Sequence, residues 1–156
     1  MARGVSGDAI EKLYDIICRD EDTGLGGITP TDTSFHSSYF KRYFDGEPID
    51  DASDGDRLVF ISYTGHVEDN SLAHPSKDHW TFGMVVQIRY HTGDHDAHSQ
   101  VVMADDFHLI AKTAMAESQK PTGVYGYYFR GSTVTPVDEE SYIMAIEVEA
   151  QVHGAS

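Results

Sequence analysis

Cysteine is nearly missing from this chain: Cys18 is the only one. A lone thiol excludes an intramolecular disulfide framework and a thiolate zinc site. Cys18 lies in an apolar helical run beside Ile16 and Ile17, where a small buried hydrophobe is expected and a nucleophile is not. Basic residues are scarce as well, with 11 Lys and Arg against 26 Asp and Glu and a formal net charge of −15. No basic stripe exists to neutralise phosphates, so sequence-specific nucleic-acid binding is not expected. No polybasic segment offers attachment to an anionic membrane. No apolar run approaches the length needed to cross a bilayer. Met1-Ala2-Arg3-Gly4 opens no apolar signal segment, so the expected product stays in a cytoplasm or in a particle assembled there.

What is present fits one domain spanning 1–156, since two domains of half that length would each struggle to bury a core. Hydrophobic residues make up 40%, enough for a folded core. Helical spacing of Ile10, Leu13, Tyr14 and Ile17 predicts a first helix over 6–19, capped by Ser6. A loop-rich arm follows over 20–57, rich in Gly, Asp, Ser and Thr. It holds a cluster of large rings at Phe35, Tyr39, Phe40, Tyr43 and Phe44. Linkers seldom carry so many rings, so this stretch reads as a functional arm, an Ω-loop or a segment ordered by a neighbouring subunit. Residues 37–44 within it have the length of one or two helical turns.

Leu58 to Tyr63 reads as a buried strand, followed by a polar connection from Thr64 to Asp78. From Trp80 to Tyr90 apolar residues recur with a period of two. Asp105 or Asp106 is expected to open a second helix that ends at Lys120-Pro121. A third strand covers 124–129, a polar turn 131–140, and a last amphipathic strand runs from Tyr142 to Val152. The expected fold is α+β: an antiparallel or mixed sheet of about four main strands, with two helices packed on one face.

Catalytic signatures are poor. No Gly-x-Ser-x-Gly elbow and no phosphate-cradling Gly-x-x-x-x-Gly-Lys loop occurs. Neighbouring carboxylates such as Asp50-Asp51 and Glu139-Glu140 point apart on a strand or loop and do not make an acid–base pair. Imidazoles are the one ligand-like group: His91, His95 and His98 fall in a single short stretch. Only a helix would bring all three to one face, and Gly93, Asp94 and Asp96 oppose one there. The sequence therefore implies no enzyme and no cofactor, with a metal site on these histidines as the alternative.

The order of elements, more than any motif, carries a resemblance. An amphipathic helix comes first, then a loop-rich segment and a strand ending Tyr63-Thr64-Gly65. A long strand runs from Trp80 to Gln87-Ile88-Arg89-Tyr90, then the helix ending at Ser118, then two strands closing on Ile146-Glu147-Val148-Glu149. This arrangement resembles the tail terminator, or tail completion, proteins of long-tailed bacteriophages, and the related neck proteins that connect head and tail. The resemblance covers residues 6–152. It implies a structural subunit of the virion, assembled in the host cytoplasm, of which six copies form a ring capping the tail tube and joining it to the head. The implied partners are further copies of the chain, the tail tube protein and the neck or head-completion proteins, with the rings Phe35, Tyr39, Phe40, Tyr43 and Phe44 as the expected contact with another subunit or the tube. DNA would pass through the lumen, where acidic charge would keep it from sticking. Outside this class, an acidic monomeric adaptor that imitates nucleic-acid charge is the remaining reading.

Overall fold

The computed structural model describes residues 5–20, 23, 26–29, 39–42, 57–68, 79–91, 97–117, 124–137 and 141–153. Its elements follow the order α1 (Val5–Ile17), β1 (Phe40–Arg42), β2 (Arg57–Glu68), β3 (His79–His91), α2 (Ala97–Glu117), β4 (Val124–Pro136) and β5 (Ser141–His153). The strands form one sheet in the order β1-β2-β3-β5-β4. β1 lies parallel to β2, and every other neighbouring pair is antiparallel. The class is α+β with a mixed sheet, of five strands where about four were expected.

β2 with β3, and β4 with β5, are sequence-adjacent antiparallel pairs. β5 enters between β3 and β4, so those two strands run in the same direction with one strand between them. Such a crossover needs a long connection, and α2 supplies it. The alternation read in β3 sets the buried face. Phe82, Met84, Val86, Ile88 and Tyr90 lie opposite Ala150, Val148, Ile146, Met144 and Tyr142 of β5, and all ten side chains are buried. α1 adds Ala9, Leu13, Tyr14 and Ile17 to this core, and α2 adds Met103, Ile110 and Ala114. The contacts between helices and sheet reach the same side. The Tyr127 hydroxyl donates to the Ala9 carbonyl at 2.6 Å, and Phe107 meets Phe129 edge-on at 6.3 Å. The Tyr14 hydroxyl accepts from Ile61 N–H at 2.6 Å and donates to the Ile61 carbonyl at 3.4 Å. α1 is thereby fastened to the outer side of β2.

Four expectations need correction. The helical turns read over 37–44 are replaced at residues 40–42 by the strand β1, because Phe40 is drawn into the core and its chain pairs with β2. β2 does not stop at Tyr63 but runs to Glu68, with Thr64 as an extra residue in a bulge against β3. The bulge explains Gly83, where a Cβ would lie 2.5 Å from Thr64 Oγ1. α2 begins at Ala97, well before Asp105, because Val101-Val102-Met103 continues the helical stripe N-terminally. Finally, the polar turn expected from Gly131 is strand as far as Pro136. Thr133, Val134 and Thr135 favour extended backbone, and a proline is tolerated at an outer strand.

The arm read over 20–57 is tied to the body at several points. Ile28 N–H donates to the Ile17 carbonyl at 3.0 Å, and Arg19 N–H to the Phe40 carbonyl at 3.2 Å. Gly27 has φ +79°, and a Cβ there would meet the Arg19 backbone nitrogen at 2.5 Å, so only glycine fits this return of the chain. Arg42 fixes β1 to α1 by a two-pronged pair with Glu11, at 2.6 and 2.8 Å, while its guanidinium lies 3.8 Å from the Tyr14 ring centre.

Burial has a direct consequence for alkaline stability. Burial pushes the Cys18 thiol from 9.0 up to about 12 and raises the Tyr14, Tyr90 and Tyr127 phenols as well. A raised folded value means stability that is whole below the unfolded value and is lost as pH climbs through the folded one. Denaturant titrations from pH 8 to pH 11 are therefore expected to show stability falling above pH 9. Cys18 contributes up to ~1.4 kcal/mol per pH unit of that fall. Cys18→Ala is expected to flatten the slope by that amount; identical slopes for both proteins would contradict the assignment.

Candidate interaction surface

The most concentrated polar chemistry lies inside the fold. Asp106 on α2 accepts through Oδ2 from Arg57 Nε at 2.9 Å and from the Tyr90 hydroxyl at 2.8 Å. Arg57 opens β2, Tyr90 lies opposite it on β3, and the guanidinium sits 5.8 Å and 5.9 Å from the Phe40 and Tyr90 ring centres. Burial raises the Asp106 carboxyl above its ordinary value, and the Arg57 charge and both hydrogen bonds pull it part of the way back. The Arg57 side chain is 0% exposed and that of Asp106 3%, so no substrate in solution reaches either. The cluster positions elements: it pins the middle of α2 to the β2–β3 end of the sheet.

Sequence reasoning placed Asp105-Asp106 at a helix start and missed this cluster. One signal was available, an arginine opening an apolar strand, where a buried charge requires a buried partner.

The histidine alternative has only part of its residues in view. His91 ends β3 and His98 lies in the first turn of α2, while His95 is outside the described residues. Among the described residues, no group of three or more His, Cys, Asp or Glu is placed to hold a metal ion. Of the proposed contact aromatics, Phe35, Tyr43 and Phe44 are also outside the described residues. Phe40 is 0% exposed, so it is a core residue and offers no surface to a partner. Tyr39 is half-buried with the Arg19 guanidinium 4.3 Å from its ring centre.

Among the described residues, nothing covers one face of the sheet or the strand at one edge. The residues alternating with the buried set form cross-strand rows on the opposite face. Leu58, Arg89, Ile143 and Thr135 make one row, Phe60, Gln87, Ala145 and Thr133 the next, and Ser62, Val85, Glu147 and Gly131 a third. This face mixes apolar and polar side chains, of which Gln87, Thr133, Thr135 and Glu147 are exposed. Charges of both signs occur in the strands. The five strands contain Glu68, Glu147 and Glu149 against Lys41, Arg42, Arg57, Arg89 and Arg130. Arg130 pairs with Glu149 at 2.6 Å in solvent, where such a pair contributes little. The excess of negative charge belongs to the helices and connections.

One edge is β4, whose only strand neighbour among the described residues is β5. Its second half, Ser132 to Pro136, is exposed at every residue, as is Val137 after it. Val134 and Val137 are 42% and 44% exposed, and no charged residue occurs from Gly131 to Val137. Sheet edges in soluble proteins are normally guarded by charge, cover or brevity. Along β4, Pro136 and the register irregularities between Val124 and Gly126 and between Phe129 and Gly131 interrupt the edge.

No family model matches the chain, and no curated protein matches it.

Two substitutions separate core roles from surface roles. Phe40→Ala is expected to cost roughly 3–5 kcal/mol of folding stability by leaving a cavity. Asp106→Ala is expected to cost about 3–5 kcal/mol by leaving a buried guanidinium without its carboxylate. Urea denaturation followed by circular dichroism measures both. A loss below about 1 kcal/mol in either variant would contradict the placement of that side chain.

Proposed function

We propose that this chain is a structural subunit of a bacteriophage tail, working as a ring that caps the tail tube and joins it to the head–neck region. The observation that supports the reading is the shape of the sheet. Four long alternating strands carry α1 and α2 on one side, and among the described residues nothing covers the other side or the β4 edge. The element order behind this shape is the one on which the resemblance to tail terminator proteins rests. An enzyme concentrates convergent polar groups in a concave site. The convergent polar groups described here, Arg57, Asp106 and Tyr90, are sealed in the core and hold elements together.

In this role the chain acts through surfaces. Its partners are other copies of itself, the tail tube protein and the neck proteins, and DNA passes through the ring without being read. With the charge of the strands nearly balanced, the acidic helices and connections supply the long-range repulsion of phosphates. Among the described residues, no helix is long and apolar enough to cross a membrane.

Native mass spectrometry of the tag-free full chain, followed by negative-stain imaging, tests the reading. The expected result is a closed ring of six copies, or twice six where rings pair. A monomer at every concentration that binds one metal ion, and loses it on His95→Ala, would overturn the proposal in favour of a metal site.

A further inference from the structure

The β4 edge has a geometry that specifies its own partner. Val137 N–H donates to the Ser141 carbonyl at 2.9 Å, so this pair is a hydrogen-bonded one in the β4–β5 ladder. In an antiparallel ladder hydrogen-bonded and non-bonded pairs alternate. Along the regular register from Pro136 opposite Tyr142 to Gly131 opposite Glu147, the backbone groups of Thr135 and Thr133 therefore face β5. Those of Ser132, Val134 and Pro136 face outward. The outer edge thus presents N–H and C=O at Ser132 and Val134, and C=O alone at Pro136. The proline lies where its missing N–H removes no bond to β5.

We propose that this edge pairs with the same edge of a second copy about a two-fold axis centred on Val134, extending the sheet antiparallel from one subunit into the next. The run Thr133-Val134-Thr135 reads the same in both directions, so a two-fold axis sets Val134 against Val134 of the second copy and Thr133 against Thr135. The two Val134 residues exchange N–H···O=C bonds. Ser132 N–H of each copy reaches the Pro136 carbonyl of the other, so the proline fits the pairing as an acceptor. Cross-strand threonine pairs and a central pair of β-branched residues are favourable neighbours in a sheet.

Charge at the edge does not oppose this contact. Two chains of net charge −15 repel at long range, and the stretch from Gly131 to Val137 brings no charged side chain to the contact. Val134 belongs to the helix-side residues of the sheet yet remains 42% exposed, and the pairing covers it with its own counterpart. A two-fold contact closes on itself. It joins copies in pairs and stops, so the ring contacts of the proposed tail function fall on other surfaces.

A single-cysteine experiment distinguishes this arrangement. Val134→Cys places two thiols at the axis, with Cα atoms roughly 5.5 Å apart, within reach of a disulfide. Cys18 is buried and does not compete. Mild oxidation of the full chain is expected to give a disulfide dimer on a non-reducing gel. Val101→Cys, on α2 and 58% exposed, is expected to give at least about tenfold less at the same concentration. Val134→Lys is expected to weaken pairing at least about tenfold in analytical ultracentrifugation while leaving the circular dichroism spectrum unchanged. Equal cross-linking at Val134 and Val101, or unaltered pairing by Val134→Lys, would overturn the proposal. A wild-type ring without the Val134 cross-link would overturn this pairing and leave the ring reading standing. A cross-linked pair with no ring would do the reverse.

Discussion

The pairing of β3 with β5 is the constraint on which the rest of the chain depends. Thirteen residues of each strand are in register, and between the two strands the chain must make α2, β4 and a reversal. Once β5 lies between β3 and β4, the crossover must be long, and α2 must lie over the face that Met84, Val86, Met144 and Ile146 present. α1 then completes the cover, held by the Tyr14 bonds to Ile61 and by Tyr127 bonded to Ala9. Contacts so distant in sequence are costly to close, and burial of apolar surface on one side of the sheet is what offsets that cost.

One-sided cover has consequences for charge. Strand residues on the outer face have polar and apolar neighbours in nearly equal measure, and the strands together hold more basic than acidic side chains. A chain with net charge −15 therefore carries its acidic excess outside the strands, in the helices and connections. The buried Arg57–Asp106–Tyr90 cluster contributes order: it fixes where α2 crosses β2 and β3, which decides which parts of the sheet remain open.

Much of this was legible in the sequence. Strict alternation from Phe82 to Tyr90 and from Tyr142 to Ala150 gave both central strands and the face each buries. Leu13, Tyr14 and Ile17 marked α1 and its buried stripe. The misread parts were those where tertiary partners outweigh local preference. Phe40 reads as an exposed aromatic of a loop until β2 is beside it. Asp106 reads as a helix-start charge until Arg57 reaches it. Gly131 to Pro136 reads as a turn because polar residues and a proline are as acceptable at an outer strand as in a loop. The partnership of Arg57, Tyr90 and Asp106 had no signature of spacing at all, since three separate elements contribute one residue each.

The central claim is that this molecule works through the outside of a rigid scaffold. Hydrogen–deuterium exchange of the full chain, compared between dilute and concentrated protein, tests it most directly. The account predicts that peptides of β3 and β5 exchange slowly and alike at both concentrations, while surface peptides, with Ser132 to Val137 among them, gain protection as copies associate. Exchange that is identical everywhere at both concentrations, or protection gained only on adding a metal ion, would contradict it.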